Sequence, residues 1–247
     1  MSALALITAS RPEDPLLDMA LTHALLDEVA AGRHPPALRL FRPGPTVAFG
    51  RQDALRPGFG EACRRARARG YTPVIRPAGG HAAVYDAGSV IVEQVSAEHD
   101  ATARLQQRFA TLAEHLRAGL AALGADVRIG ELPGEYCPGA YSLNLGGELK
   151  VAGIAQRVVR HGALTTATVT ATGGAELRAT VAAVYAALAL DVDVSVAGAV
   201  DEVLPGITAG AVLDAIHAAY GPLNERELPA NLLALARGLA GRHAAPE

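Results

Sequence analysis

The stretch from Pro133 to Thr168 reads PGEYCPGAYSLNLGGELKVAGIAQRVVRHGALTTAT, and two of its residues, Cys137 and Lys150, decide how the chain is read. Pro133, Gly134, Pro138 and Gly139 break any regular element around Cys137. The segment therefore predicts a loop thiol. Lys150 follows the turn-forming Gly146 and Gly147 and opens a largely apolar run through Val151, Ile154, Val158 and Val159, the pattern of a partly buried strand. A lysine at the mouth of such a strand is out of place. Burying an ammonium is costly without compensation, so this one meets an anionic ligand, a carbonyl to polarise, or a carboxylate to pair with. Cys137, on its context alone, is either a nucleophile or an inert packed thiol.

The chain has 247 residues, 50% of them hydrophobic, enough to bury a sizeable core. A single domain over residues 1–247 is expected, with residues 206–247 as a closing helical tail and Asp191 to Pro205 as the joint before it. A formal net charge of -3 argues against a general nucleic-acid binder and against a polybasic membrane anchor. No apolar run reaches membrane-spanning length and Leu4 to Ile7 is too short for a secretory segment, so a cytoplasmic protein is expected. Two cysteines, Cys63 and Cys137, rule out a disulfide framework. With no C-x-x-C or H-x-x-x-H pair, no metal site is expected.

Leu17, Leu21, Leu25 and Val29 mark a helix from Pro15 to Ala31, with Gly32 just past its end. Leu38 to Phe41 and Thr46 to Phe49 read as two short strands around an RPGP turn. Glu61 to Arg69 reads as a helix crowded with Arg64, Arg65, Arg67 and Arg69. That charge run is a solvated face or a landing site for an acidic protein. Strands are expected at Thr72 to Arg76, Ala83 to Tyr85 and Ser89 to Val95. The Pro77 to Ala82 loop between the first two is an ordinary hairpin turn or a glycine cradle presenting backbone N–H groups to a carbonyl or phosphate oxygen. Thr102 to Leu123 has the helical spacing Leu105, Phe109, Leu112, Leu116 and Leu120. Further helices follow behind Leu177, behind Thr208 as N-cap, and from Pro229. Strands and helices come in mixed order without regular alternation. The expected class is α+β, a mixed, largely antiparallel central sheet flanked by helices.

Several segments are similar to those of a known superfamily. Arg76-Pro77-Ala78-Gly79-Gly80-His81-Ala82-Ala83-Val84-Tyr85-Asp86 resembles the R-x-x-G-G-[GR]-A-V-x-H-D loop of the lipoate–protein ligases, octanoyltransferases and biotin ligases. Gly147 to Gln156 resembles that superfamily's G-x-K-[IV]-x-G-x-A-Q segment, and His161-Gly162 matches the H-G that follows it. The resemblance covers roughly Leu16 to Thr170. It implies a biotin/lipoate ligase-like catalytic domain, with Arg76, Gly79, Gly80, His81, Ala82, Gly153 and Ala155 around the substrate. In the ATP-dependent ligases the lysine matching Lys150 contacts an activated carboxyl group. In the octanoyltransferases without ATP, a cysteine upstream of that lysine takes the acyl chain, and Cys137 stands there. His81 in place of the third loop glycine, and Tyr85 in place of the family histidine, are departures from the ligase pattern.

The resemblance thus implies a cytoplasmic octanoyltransferase of protein lipoylation that requires no cofactor. It moves an octanoyl group from acyl carrier protein through Cys137 to a lysine of a lipoyl-domain or glycine-cleavage carrier protein. Cysteine suits that relay because a small thiolate fraction is already strongly nucleophilic. Lys150 is expected to lower the thiol pKa and to stabilise the oxyanion, helped by backbone N–H groups of Gly79 and Gly80 or of the Gly153 to Ala155 segment, with one such donor contributing about 3 kcal/mol. Arg76 orients the loop or meets a phosphopantetheine phosphate, and the acyl tail lies in an apolar tunnel, each buried CH₂ contributing about 0.8 kcal/mol. Two alternatives remain open. One is an ATP-dependent lipoate ligase that needs Lys150 and not Cys137, and the other a non-catalytic relative that keeps the pocket.

Overall fold

The computed structural model describes residues 4–100 and 102–247. The first half of the chain forms β1 (Ala5–Ile7), α1 (Pro15–Ala30), β2 (Ala37–Phe41), β3 (Thr46–Phe49), α2 (Phe59–Ala68), β4 (Thr72–Ile75), β5 (Ala83–Tyr85), β6 (Ser89–Ala97) and α3 (Leu105–Ala122). The second half adds β7 (Val127–Ile129), β8 (Leu143–Leu145), β9 (Leu149–Val159), β10 (Gly162–Thr170), α4 (Gly174–Ala187), α5 (Ala209–Ala219), β11 (Asn224–Glu225) and α6 (Ala230–Leu239). An eight-stranded sheet runs in the order β11-β1-β2-β6-β10-β9-β8-β7, and a three-stranded sheet runs β4-β3-β5. The large sheet is parallel only among β11, β1 and β2 and antiparallel from β2 to β7. The expected α+β class with a mixed, largely antiparallel sheet is what forms.

Residues of period two divide the two faces of the large sheet. Leu6, Leu38, Leu40, Val90, Val92, Ala167 and Val169 point to the face covered by α3 and α5, where Leu112, Leu116, Val212 and Ile216 complete the core. Ala5, Ile7, Ala37, Val95 and Leu164 point the other way, to α1 and α6. Helix α5 lies so close on α3 that a Cβ on Gly119 would stand 2.8 Å from the Ile216 Cα. The small sheet has its own core, Val47, Phe49, Phe59, Val181 and Tyr185, between α2 and α4.

Four expectations change. Strands β2 and β3 flank the Arg42 to Pro45 turn but belong to different sheets, because the prolines interrupt the ladder and β3 pairs with β4 and β5 instead. Strands β4 and β5 are likewise no hairpin, since β3 lies between them, which removes the ordinary-turn reading of the Pro77 to Ala82 loop. Lys150 sits inside β9 and pairs with Asn144 rather than preceding the strand. The Asp191 to Pro205 joint is packed into the body: Ala197, Ala199 and Val200 are buried, and Gly198 N donates to Lys150 O at 2.9 Å.

The tail is also stitched down, with β11 beside β1, α5 on α3 and α6 on α1. Among the described residues no helix is long and apolar enough to cross a membrane. At its end His243 Nδ1 bonds Ile75 O at 2.7 Å, and its Nε2 lies 3.1 Å from His23 Nδ1 of α1. The carbonyl fixes the His243 proton on Nδ1, so Nε2 accepts and His23 donates. Burial holds both imidazoles below their ordinary pKa. A depressed folded pKa gives stability that is present above the unfolded value near 6.5 and lost as the pH falls through the folded values. Replacing His23 with Gln, which still donates to His243, is expected to make the slope of unfolding free energy against pH shallower by up to about one proton below pH 6.5. Urea melts of both proteins between pH 7.5 and 5 measure this, and equal slopes would show the pair to be uncoupled from folding.

Candidate active site

The loop between β7 and β8 is closed by one buried carboxylate. Glu135 accepts from Leu132 N at 2.8 Å, Gly139 N at 3.2 Å, Ser142 Oγ at 2.6 Å and Lys150 Nζ at 2.8 Å. Lys150 Nζ also donates to the carbonyls of Tyr136 at 2.7 Å and Cys137 at 2.9 Å, and lies 4.7 Å from the Tyr136 ring centroid. An ammonium has three N–H donors, and these bonds engage all of them. Lys150 and Glu135 are both wholly buried side chains. Burial pulls the Lys150 ammonium below its ordinary pKa, against the field of Glu135. Of the partners open to Lys150 from sequence, it meets a carboxylate, together with two carbonyls that belong to the loop itself.

This clamp holds Cys137 in a left-handed backbone conformation, φ 44°, which costs a residue with a Cβ roughly 1–2 kcal/mol. The sulfur then lies 3.6 Å from Arg76 Nη2. Both groups pack on Gly80, whose φ is +86°, and a Cβ there would stand 2.9 Å from each. Only glycine fits this contact. Arg76 extends from the end of β4, its own N bonded to Phe49 O at 2.9 Å and its Nη2 to His81 O at 2.6 Å. The residue is 8% exposed, and its Nε is buried with no hydrogen-bond partner among the described residues.

Two clefts meet at Cys137. The inner one is narrow and is lined by Cys137, Arg76, Gly153, Ile154, Ala155 and Thr166 among others. Beyond Arg76, Thr166 and Thr168 it adjoins a second narrow space reaching Phe41, Ile91 and Leu164. The far wall there carries Asp18, Thr22 and Glu93, bound to the buried Arg39: Arg39 pairs with Asp18, Arg39 Nη1 reaches Glu93 at 3.2 Å, and Thr22 Oγ1 donates to Glu93 at 2.7 Å. Burial pushes the Glu93 carboxyl up from its usual range. The outer cleft, about 880 Å³, runs from Cys137 along Gly79, Gly80, Phe109 and Tyr141.

Of the residues expected at the site, Cys137, Lys150, Arg76, Gly80, Gly153 and Ala155 come together. Gly79 lines the outer cleft, but its N–H donates to Gln156 O at 3.1 Å and is not free for an oxyanion. The His81 ring turns to the buried Asp53, Nδ1 to Oδ1 2.7 Å, and lines none of these clefts. Ala82 is a fully buried core residue whose carbonyl accepts from the Tyr185 hydroxyl at 2.9 Å. Neither side chain reaches Cys137. The Lys150 ammonium bonds the loop carbonyl of Cys137 and stands within electrostatic range of its thiol, while Arg76 Nη2 makes the direct contact with the sulfur at 3.6 Å.

Sequence reasoning missed Glu135, and it offered the Gly153 to Ala155 segment as a source of backbone donors without telling which of its amides is free. Strand β9 pairs with β10 along one edge, while Gln156 O faces the other edge to accept from Gly79. Alternate residues of an antiparallel strand turn N–H and C=O to the same side, so the Ile154 N–H also faces that open edge, beside the clefts that Ile154 lines. Among the described residues no group of three or more His, Cys, Asp or Glu is arranged to hold a metal ion.

The chain belongs to the lipoyl protein ligase A/B catalytic domain family, whose model matches residues 14–197. It is 38% identical over 152 residues to the octanoyl-[GcvH]:protein N-octanoyltransferase of Geobacillus kaustophilus, covering 60% of this chain and 53% of that one. It is 27% identical over 149 residues to the lipoyl-[GcvH]:protein N-lipoyltransferase of Listeria monocytogenes, again 60% and 53%. The aligned part therefore spans about half the length of these curated relatives. Among solved structures it is similar to lipoate-protein ligase A bound with ATP, TM-score 0.78 at 21% identity over 97% of this chain and 95% of that one. It is similar also to Ta0514 of T. acidophilum with bound lipoic acid, TM-score 0.76 at 20% identity over the same shares, 97% and 95%. At that identity the likeness is one of fold.

Replacing Glu135 with Gln leaves the buried Lys150 without its counter-charge and is expected to lower stability by about 3–5 kcal/mol. Urea denaturation measures the loss, and iodoacetamide labelling of Cys137 is expected to quicken as the loop loosens. Cys63, fully buried and with its thiol pushed up to about 11, serves as the unreactive reference. Wild-type stability in Glu135→Gln would show that the clamp does not hold the loop.

Proposed function

We propose that this chain is an octanoyltransferase of protein lipoylation that carries the acyl group on Cys137. The observation that carries the reading is the position of the Cys137 sulfur, where the two clefts meet, 3.6 Å from Arg76. In the first half-reaction the thiolate attacks the octanoyl carbonyl and a tetrahedral oxyanion forms. The bond to the donor's leaving group breaks, and that group departs with the proton that the Cys137 thiol gave up on ionising. In the second, a neutral lysine amine attacks the thioester, the C–S bond breaks, and the amine's proton goes to the released Cys137 sulfur as the amide forms. The Ile154 N–H and the unpartnered Arg76 Nε–H are the donors that meet the oxyanion, each of the kind that contributes about 3 kcal/mol. The acyl chain extends inward past Thr166 and Thr168 towards Phe41, Ile91 and Leu164. Each buried CH₂ contributes about 0.8 kcal/mol.

The protein partner in the names of the relatives is GcvH, the glycine-cleavage carrier, and they write octanoyl-[GcvH] before the colon. We take octanoyl-[GcvH] as a donor, exchanging with a lysine on a second lipoyl-carrying protein. A thioester on acyl carrier protein enters the same first step with a better leaving group. The ligase alternative is less well supported, because every N–H of Lys150 already has an acceptor in Glu135 and the loop carbonyls, leaving none for an activated carboxyl group. ATP is not required in this reading.

The test is intact-protein mass spectrometry after mixing with an octanoyl thioester donor. An amide donor is a poorer choice, since a thioester formed from an amide lies uphill and does not accumulate. One octanoyl group is expected on Cys137 of the wild-type protein and none on Cys137→Ser, with no pyrophosphate released from ATP and octanoate or lipoate. Gly80→Ala, whose Cβ displaces the sulfur, is expected to slow adduct formation by up to about a hundredfold. A Cys137→Ser protein with full transfer activity, or pyrophosphate release by the wild type, would overturn the relay.

A further inference from the structure

The arginine run of α2 is committed within the fold. Arg64 and Arg65 pair with Glu61, Arg69 with Glu176, and Arg67 donates to the carbonyls of Ala245 and Pro246. The solvated-face reading fits it better than the landing site. A different set of arginines is unengaged. Among the described residues Arg51, Arg157 and Arg242 bond no acceptor of the protein, although they come from three separate segments: the turn after β3, the strand β9, and the end of the chain.

Two of the three line one groove, and the third, Arg242, acts on the same histidine as both. Arg51 and Arg157 stand on the rim of a groove of about 790 Å³ that runs over Gln52, Gly79, Gly80, Leu105 and Gln156. That groove shares Gly79, Gly80, Leu105 and Gln156 with the outer cleft at Cys137, so the two form one path from the arginines to the sulfur. Arg51, Arg157 and Arg242 all lie close enough to His23 to oppose its protonation, and the acid facing the same ring is Asp27. Four residues beyond Arg51, Leu55 is 86% exposed. The chain carries a net charge of -3. The overall charge repels an acidic partner while this rim attracts one, which fixes the orientation of approach as well as its rate. The path to the sulfur has apolar walls, Leu105, Phe109 and Tyr141, suited to the methylenes of an extended side chain rather than to a phosphate.

We propose that Arg51, Arg157 and Arg242 are the docking surface for a small acidic carrier domain, whose lysine arm runs down the groove over Gly79 and Gly80 to Cys137. The assignment rests on the acyl-relay reading. Carboxylates flanking the lysine on the carrier meet the guanidinium groups, and the amide or amine at the tip of the arm reaches the oxyanion donors from the side opposite the acyl chain.

The experiment compares two octanoyl donors, octanoyl-N-acetylcysteamine and octanoylated GcvH, on the wild-type protein and on Arg51→Glu, Arg157→Glu and the triple variant that adds Arg242→Glu. The small thioester is expected to label Cys137 of all four proteins at rates within about twofold. Transfer from octanoyl-GcvH to an acceptor lipoyl domain is expected to fall at least about tenfold in the triple variant. Raising the salt from 50 to 300 mM slows the carrier reaction of the wild type and not the small-donor reaction. Carrier transfer at wild-type rate in the triple variant would overturn the docking surface. Failure of the small donor to label the wild type would instead overturn the relay. In that event, fluorescence-anisotropy binding of labelled octanoyl-GcvH to Cys137→Ser, with and without the three reversals, still decides the surface: a tenfold weaker affinity supports it and an unchanged one removes it.

Discussion

The buried pair of Lys150 and Glu135 is the interaction on which the rest of the site depends. Its ammonium ties together a strand of the main sheet, the carbonyls of two loop residues and a carboxylate that itself closes the loop. The same residue accepts from Gly198 through its own carbonyl, so the segment leading to α5 is anchored at the same point. A buried ion pair is weak evidence for stability, because an apolar pair of similar volume serves as well or better. What an apolar pair cannot do is direct two carbonyls and hold Cys137 at positive φ. The retained charge is better explained by the position it gives the sulfur than by the stability it adds.

The class of the fold was legible from period and punctuation. The leucine spacing of α3, the Thr208 cap of α5, whose hydroxyl accepts from Ala211 N, and the β-branched runs of β6 and β10 are local signals that the tertiary structure reinforces. The partition of strands between two sheets was not legible. A four-residue turn such as Arg42 to Pro45 is short enough for a hairpin, and nothing local shows that β3 leaves the layer of β2. That outcome depends on β4 and β5, more than twenty residues later in the chain, offering β3 a better pair of edges.

Cys137 and Lys150 were legible because each residue type conflicts with its surroundings, a thiol in a proline–glycine loop and an ammonium in an apolar strand. Glu135 carries no such conflict. A glutamate between Gly134 and Tyr136 looks like any solvated loop carboxylate until the loop folds back on β9 and removes it from water. The Gly153 to Ala155 segment was legible as a source of backbone donors, but not which of its amides is free, because which edge the Ile154 N–H faces is known only once the pairing of β9 with β10 is known. Arg76 was singled out as a loop or phosphate residue, yet its Nη2 sits by the sulfur and its Nε lacks a partner, a conclusion that needs atoms.

Exchange of an acyl group between two lysines is nearly balanced in free energy, since an amide is broken and an amide is made. The enzyme in such a reaction gains nothing by binding either carrier very tightly, because each must leave before the other arrives. A site for this chemistry therefore separates two kinds of contact. Those to the acyl chain persist through both half-reactions, and those to the carrier arm are made and broken twice. The two clefts divide along that line. In the relay proposed above, the inner space, which continues between the sheet and α1, is assigned to what stays, and the more open outer groove to what exchanges. Cys137 stands between them on a strained backbone held by Lys150, the position that the proposed relay requires of the group that carries the acyl chain in either direction.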